Sequence, residues 1–106
     1  MIVGAAVVEL QVHGSRSLKE KRGVVRSILR RVRNRFNLSA AEVGGQDTWQ
    51  RAVLGFAAAG LDAVQVRGML DRAVVFVEEL HLAEVIGSDV EITELPYTET
   101  VWEPGE

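Results

Sequence analysis

The apolar residues of this chain change twice from alternate-residue spacing to helical spacing and back, which leaves few folds open to it. Residues 2–13 alternate: Ile2, Gly4, Ala6, Val8, Leu10 and Val12 form one set, and Val3, Ala5, Val7, Glu9, Gln11 and His13 the other. That is the period of a β-strand. Gly14 and Ser15 break it. Ser17-Leu18-Lys19-Glu20 then reads as a capping box, in which the serine hydroxyl accepts from a backbone N–H and Glu20 reaches back. Leu18, Val25, Ile28, Leu29, Val32 and Phe36 follow at helical spacing, which predicts a helix of roughly four turns ending near Asn34.

Residues 36–43 predict a second strand, closed by the flexible turn Gly44-Gly45 with Gln46 and Asp47 beside it. From Trp49 to Ala59 both alternating sets are mostly apolar, as in a central strand with both faces covered. Gly60 ends that run. Asp62 is a good N-cap, with Gln65 three residues on, and Val64, Met69 or Gly68, Leu70, Val74, Val77 and Leu80 supply a second helical stripe. A last strand is expected over 83–95, with a break at Gly87-Ser88-Asp89. The order is βαββαβ, the split βαβ of the ferredoxin-like α+β fold: a four-stranded antiparallel sheet with two helices on one face. Residues 1–95 make one domain, and 96–106 a short acidic C-terminal tail. The sheet face away from the helices would carry Val3, Ala5 and Val7, an apolar surface that suits a homodimer packed sheet on sheet. Partial cover by the tail, with Tyr97 and Trp102, is the alternative.

A length of 106 residues suits one domain with a core of its own, and 47% hydrophobic with 25% charged residues argues against disorder. The absence of cysteine removes disulfides, zinc–thiolate sites and thiol catalysis together, and suits a reducing compartment. The apolar N-terminus has no basic residues before it, is interrupted by Glu9 and is too short to span a bilayer. A cytoplasmic protein without membrane contact is therefore expected.

Charge is distributed unevenly. Nine of the twelve basic residues lie between Arg16 and Arg35, so residues 1–36 carry +7 and residues 37–106 carry −10, together the formal −3. Such asymmetry concerns partners rather than fold. On a helical wheel Lys19, Arg22, Arg26, Arg30 and Arg33 fall within a sector of about 80°, one basic residue per turn. Arg16 stands just before them. A ridge of this kind can follow the phosphates of a nucleic acid, and the arginine fork donates to two phosphate oxygens at once. The alternative is a face whose arginines pair with carboxylates of the same protein. Stacking of bases on the sheet, as in RNA-recognition modules, is not expected, because the first strand holds no aromatic.

Asp47-Thr48-Trp49-Gln50-Arg51 is the densest polar–aromatic cluster. Gln46, Asp47, Trp49 and Gln50 form a candidate recognition loop; alternatively Trp49 anchors the core and Asp47 caps the turn. Gly14-Ser15-Arg16-Ser17 could hold an anion at a helix start, although it lacks the spacing of a nucleotide-hydrolysing loop. No sequence-adjacent carboxylate or second histidine gives His13 or His81 ligand spacing, so no metal site and no cofactor is expected. No nucleophile–base signature appears, and no enzyme activity is expected.

Two of these segments together, Ser17-Leu18-Lys19-Glu20-Lys21-Arg22 after a first strand and Ala41-Glu42-Val43 leading to Asp47-Thr48-Trp49-Gln50-Arg51, resemble the YlxP-like family of small bacterial proteins, a domain of unknown function. The resemblance covers about residues 1–95. It implies a ferredoxin-like fold, no established enzyme activity, and a ribosome- or RNA-linked role, because members are often encoded near translation-initiation and ribosome-maturation genes. Its motif positions are Ser17, Leu18, Lys19, Lys21, Arg22, Gln46, Asp47, Trp49 and Gln50. Two functions are thus expected in order: a non-enzymatic accessory protein that binds RNA or a ribosomal particle through the basic helix, and a homodimer that binds a protein or small ligand at its sheet face.

Overall fold

In the computed structural model, which describes residues 1–97, the elements follow the expected order: β1 (Ile2–Gln11), α1 (Leu18–Arg35), β2 (Ser39–Gly44), β3 (Arg51–Gly60), α2 (Ala63–Glu79) and β4 (Glu84–Glu94). They build one antiparallel sheet in the order β2-β3-β1-β4, so the longest apolar strands lie inside and β2 and β4 form the edges. Opposite residues in an antiparallel pair share a face. The register sets Ala6 beside Phe56 and Val90, Val8 beside Leu54, and Leu10 beside Ala52 and Val85. This face is buried under Val25, Ile28, Leu29 and Val32 of α1 and Val66, Leu70, Ala73, Val74 and Val77 of α2. Each fully buried Leu or Ile in that layer contributes roughly 1.5–3 kcal/mol. The fold is the ferredoxin-like α+β arrangement.

Gly4 shows how tightly the layers meet. A Cβ there would lie 2.7 Å from both the Leu70 and Val66 side chains and 3.0 Å from Ile92. Gly4→Ala is expected to lower stability by about 1–3 kcal/mol through overpacking. A denaturation midpoint equal to that of the parent would contradict this account of the α2–sheet contact.

Several boundaries differ from the sequence expectation. β2 begins at Ser39 rather than 36, because Phe36 caps α1: its backbone is extended and its N–H donates to the Val32 carbonyl. Its ring meets Phe76 edge-on at 5.6 Å instead of entering the sheet. β3 begins at Arg51, two residues after Trp49. Val64 is 79% exposed, and Val66 and Ala73 take its place in the buried stripe, at proper helical spacing from Leu70 and Val77. β4 is not broken at Gly87; a bulge admits Ile86 as an extra residue opposite Glu9 and Leu10, and pairing continues. β3 is buried on one face only, since Ala57 and Ala59 are exposed on the other. The tail expected over 96–106, with Trp102, lies outside the described residues beyond Tyr97. Among the described residues no helix is long and apolar enough to cross a membrane.

Candidate functional site

Helix α1 begins where the sequence places it. The Ser17 hydroxyl accepts from the Glu20 N–H at 3.1 Å. Glu20 turns back to the N–H of Arg16 at 2.7 Å, one residue before the N-cap itself. Its carboxylate therefore occupies the place where the Gly14–Ser17 segment could have received an outside anion. From this start the buried stripe runs through Lys21, Val25, Ile28, Leu29 and Val32. Arg16, Lys19, Arg22, Arg26, Arg30 and Arg33 are all exposed.

Among the described residues nothing neutralises the ridge. Among the described residues three ion pairs form: His13–Glu84, Lys21–Glu42 and Arg51–Glu9. None involves Arg16, Lys19, Arg22, Arg26, Arg30 or Arg33. Arg33 instead donates to the Ala40 carbonyl on the edge strand β2, which covers part of an open sheet edge. The Arg26 Nε donates to the Arg22 carbonyl at 3.4 Å. Arg35, off the ridge, lies over the Phe76 ring at 5.1 Å. Like charges four residues apart on a helix repel, so this flank carries positive charge that is unpaired among the described residues.

Lys21 has a different task. It sits one helical turn before Val25, inside the apolar stripe, and is 0% exposed. A buried ammonium is unfavourable unless paired and hydrogen-bonded. Its Nζ donates to the Gly45 carbonyl and, at 3.2 Å, to the Arg51 carbonyl, with the Glu42 carboxylate 3.5 Å away. Glu42 Oε2 is buried without a hydrogen-bond partner, so the Lys21 charge is its compensation. The lysine thus grips both ends of the β2–β3 connection from below. Gly45 is required there: its φ is +74°, and a Cβ would come within 2.9 Å of the Arg51 carbonyl oxygen.

Two further bonds tie this connection to the entry of α1. The Val12 N–H donates to the Gln50 carbonyl at 2.7 Å, and Gln50 Nε2 donates to the Ser15 carbonyl at 3.2 Å. The candidate recognition-loop residues Gln46, Asp47, Trp49 and Gln50 therefore lie in a connection that Gln50 ties to the entry of the basic helix, although 26 or more residues separate Glu20 from them in sequence. Trp49 is 54% exposed and does not anchor the core. The turn is closed by the Thr48 N–H on the Gly45 carbonyl, not by Asp47.

The same end of the domain joins His13 to Glu84 at 2.7 Å, both side chains well exposed. His81, with φ +54°, ends α2 and lines a shallow hollow with His13, Glu78 and Glu84. Nothing in the sequence announces this meeting of residues 71 positions apart. Among the described residues no group of three or more His, Asp or Glu could hold a metal ion. The open sheet face carries Val3, Ala5 and Val7 beside Ala59, Ala57 and Gly55, with Thr93, Glu91 and Asp89 along the β4 side. Val7 is 45% exposed.

The chain has known relatives. The family model described as "Protein of unknown function (DUF503)" matches residues 3–90. A Bacillus subtilis (strain 168) protein described as "Uncharacterized protein YlxP" is 44% identical over 77 residues, which is 73% of this chain and 84% of that protein. Among solved structures, SnoaB, a cofactor-independent oxygenase from Streptomyces nogalater, superposes with a TM-score of 0.50 at 14% identity, over 91% of this chain and 95% of that one. At that identity the likeness concerns the fold alone.

Proposed function

The chain belongs to the DUF503 family, whose function is unknown, and from that premise we propose that it is a non-enzymatic cytoplasmic protein that docks through α1 on structured RNA or a ribosomal particle. One observation carries this reading: the Lys19–Arg33 ridge meets no carboxylate among the described residues. Arg22, Arg26 and Arg30 recur every four residues, a rise of about 6 Å, which suits successive phosphates. Arg33 adds its remaining N–H donors, since one hydrogen bond to Ala40 leaves most of its fork free. Lys19 and Arg16 orient the helix start. Cosedimentation with purified ribosomal subunits at low salt tests the reading. Saturable binding, displaced by inorganic polyphosphate, is expected; a protein that stays in the supernatant at every subunit concentration would contradict it.

The open sheet face supports a second, compatible reading, a homodimer. Four strands at about 4.8 Å spacing and roughly 30 Å length give about 600 Å² per copy. Two copies packed sheet on sheet would bury about 1,200 Å², the lower bound of stable interfaces. The small side chains Ala5, Ala57, Ala59 and Gly55 leave that face flat enough for close approach. In this arrangement Val7→Asp buries a second carboxylate beside Asp89 and is expected to turn a dimer into a monomer by light scattering. A parent protein already monomeric at high concentration would end this second reading.

A further inference from the structure

The exposed Trp49 of the β2–β3 connection is not used by the phosphate contacts proposed above. We propose that Trp49 is a stacking platform for an unpaired base of the same nucleic acid whose backbone α1 holds, a reading that rests on the assignment of α1 to phosphate. Trp49 lies in the connection between β2 and β3, more than half exposed. A tryptophan carries a large apolar surface that is usually withdrawn from water. Ala52, three residues on, enters the core, and an odd separation in an extended chain sets Trp49 toward the opposite face; the strand itself comes into register only at Arg51.

The platform is held, not loose. Lys21 grips the carbonyls of Gly45 and Arg51 on either side of it, and Gln50, the next residue in the chain, is bonded to Ser15 and Val12. Pre-ordering of this kind lowers the entropy lost when a ligand binds. Ser15 directly precedes Arg16, so the connection that carries Trp49 is tied to the chain entering the ridge of Arg16, Lys19 and Arg22. Gln46 and Asp47 in the same loop are exposed and make no side-chain hydrogen bond among the described residues, and they are free to meet a base edge. Among the described residues of the four strands the open sheet face carries no aromatic: Phe56 is buried on the opposite face. Bases inside a duplex already stack on each other, whereas an unpaired base has a free face for the indole. The ligand assigned is therefore RNA with a paired segment along α1 and an unpaired nucleotide at its N-terminal end.

The chain has two tryptophans, so Trp102→Phe leaves Trp49 as the single tryptophan, which is excited selectively at the red edge of its absorption. That variant is titrated with an RNA hairpin bearing a single-stranded overhang, with the blunt hairpin, and with inorganic polyphosphate. The overhang RNA is expected to quench Trp49 and to bind more tightly than the blunt hairpin by roughly 5- to 150-fold, the range of one stacked base. Trp49→Ala, made at an exposed position, should abolish that preference while leaving the blunt hairpin and polyphosphate affinities unchanged, and Trp49→Phe should keep part of it. Equal binding of overhang and blunt RNA, with no effect of Trp49→Ala, would overturn the stacking platform and leave the ridge intact. Failure of all three ligands to bind at low salt would overturn the ridge and the platform with it.

Discussion

Lys21→Met is expected to destabilise the protein by about 3–5 kcal/mol, the largest stability change at any single polar side chain described above. The substitution nearly conserves volume in the apolar stripe. It removes the ammonium that serves the Gly45 and Arg51 carbonyls and leaves the Glu42 carboxylate, whose Oε2 is buried, without compensation. Each buried acceptor left unpaired costs about 1–3 kcal/mol, and the lone carboxylate more. Adding Glu42→Leu to the Lys21→Met chain should recover part of the loss, because it removes the stranded charge; a double-mutant cycle by urea denaturation measures the coupling. A Lys21→Met chain with the parent's midpoint would show that the lysine contributes nothing to the hold on the β2–β3 connection.

Arg26→Glu with Arg30→Glu should have the largest effect on binding. The pair reverses two charges in the middle of the ridge, a change of four units on a helix face whose side chains make no ion pairs among the described residues. Affinity for ribosomal RNA at low salt is expected to fall by roughly 100-fold or more, and the dependence on salt to lose about two phosphate contacts. Stability should hardly move: both residues are exposed, and the exchange relieves like-charge repulsion with Arg22 one turn away. Unchanged affinity in a folded double variant would contradict phosphate binding by α1.

The order of elements was legible because β1 and the two helices show a clear apolar period and each helix has a marked start, Ser17 with Glu20 and Asp62. The Asp62 carboxylate accepts from the Val64 N–H at 2.8 Å, so Val64 is fixed in the first turn and exposed, which propensity and composition do not reveal. Phe36 reads as strand by pattern but serves as a cap, because an aromatic beside a helix end can pack on the neighbouring helix just as well. The basic ridge was legible from the wheel alone. Its lack of ion-pair partners among the described residues was not, since that depends on where distant carboxylates fall in space.

Lys21 carried a signal that a wheel can detect: a charged residue at a buried position of the stripe, four residues before Val25. Its partners could not be read, because they are backbone carbonyls 24 and 30 residues away. The exposure of Trp49 likewise follows from a turn whose left-handed Gly45 sets the strand start, not from the residue itself. The pairing of His13 with Glu84 rests only on the antiparallel register of β1 and β4.

The most direct test of the central claim is the affinity of the parent chain, freed of nucleic acid, for ribosomal RNA across a salt series. Neutralisation of four phosphates by Arg22, Arg26, Arg30 and Arg33 predicts a log–log slope of roughly −3 to −4. A slope near zero, or no binding even at low salt, would contradict the account and make the ridge a solvated face with no polyanionic partner.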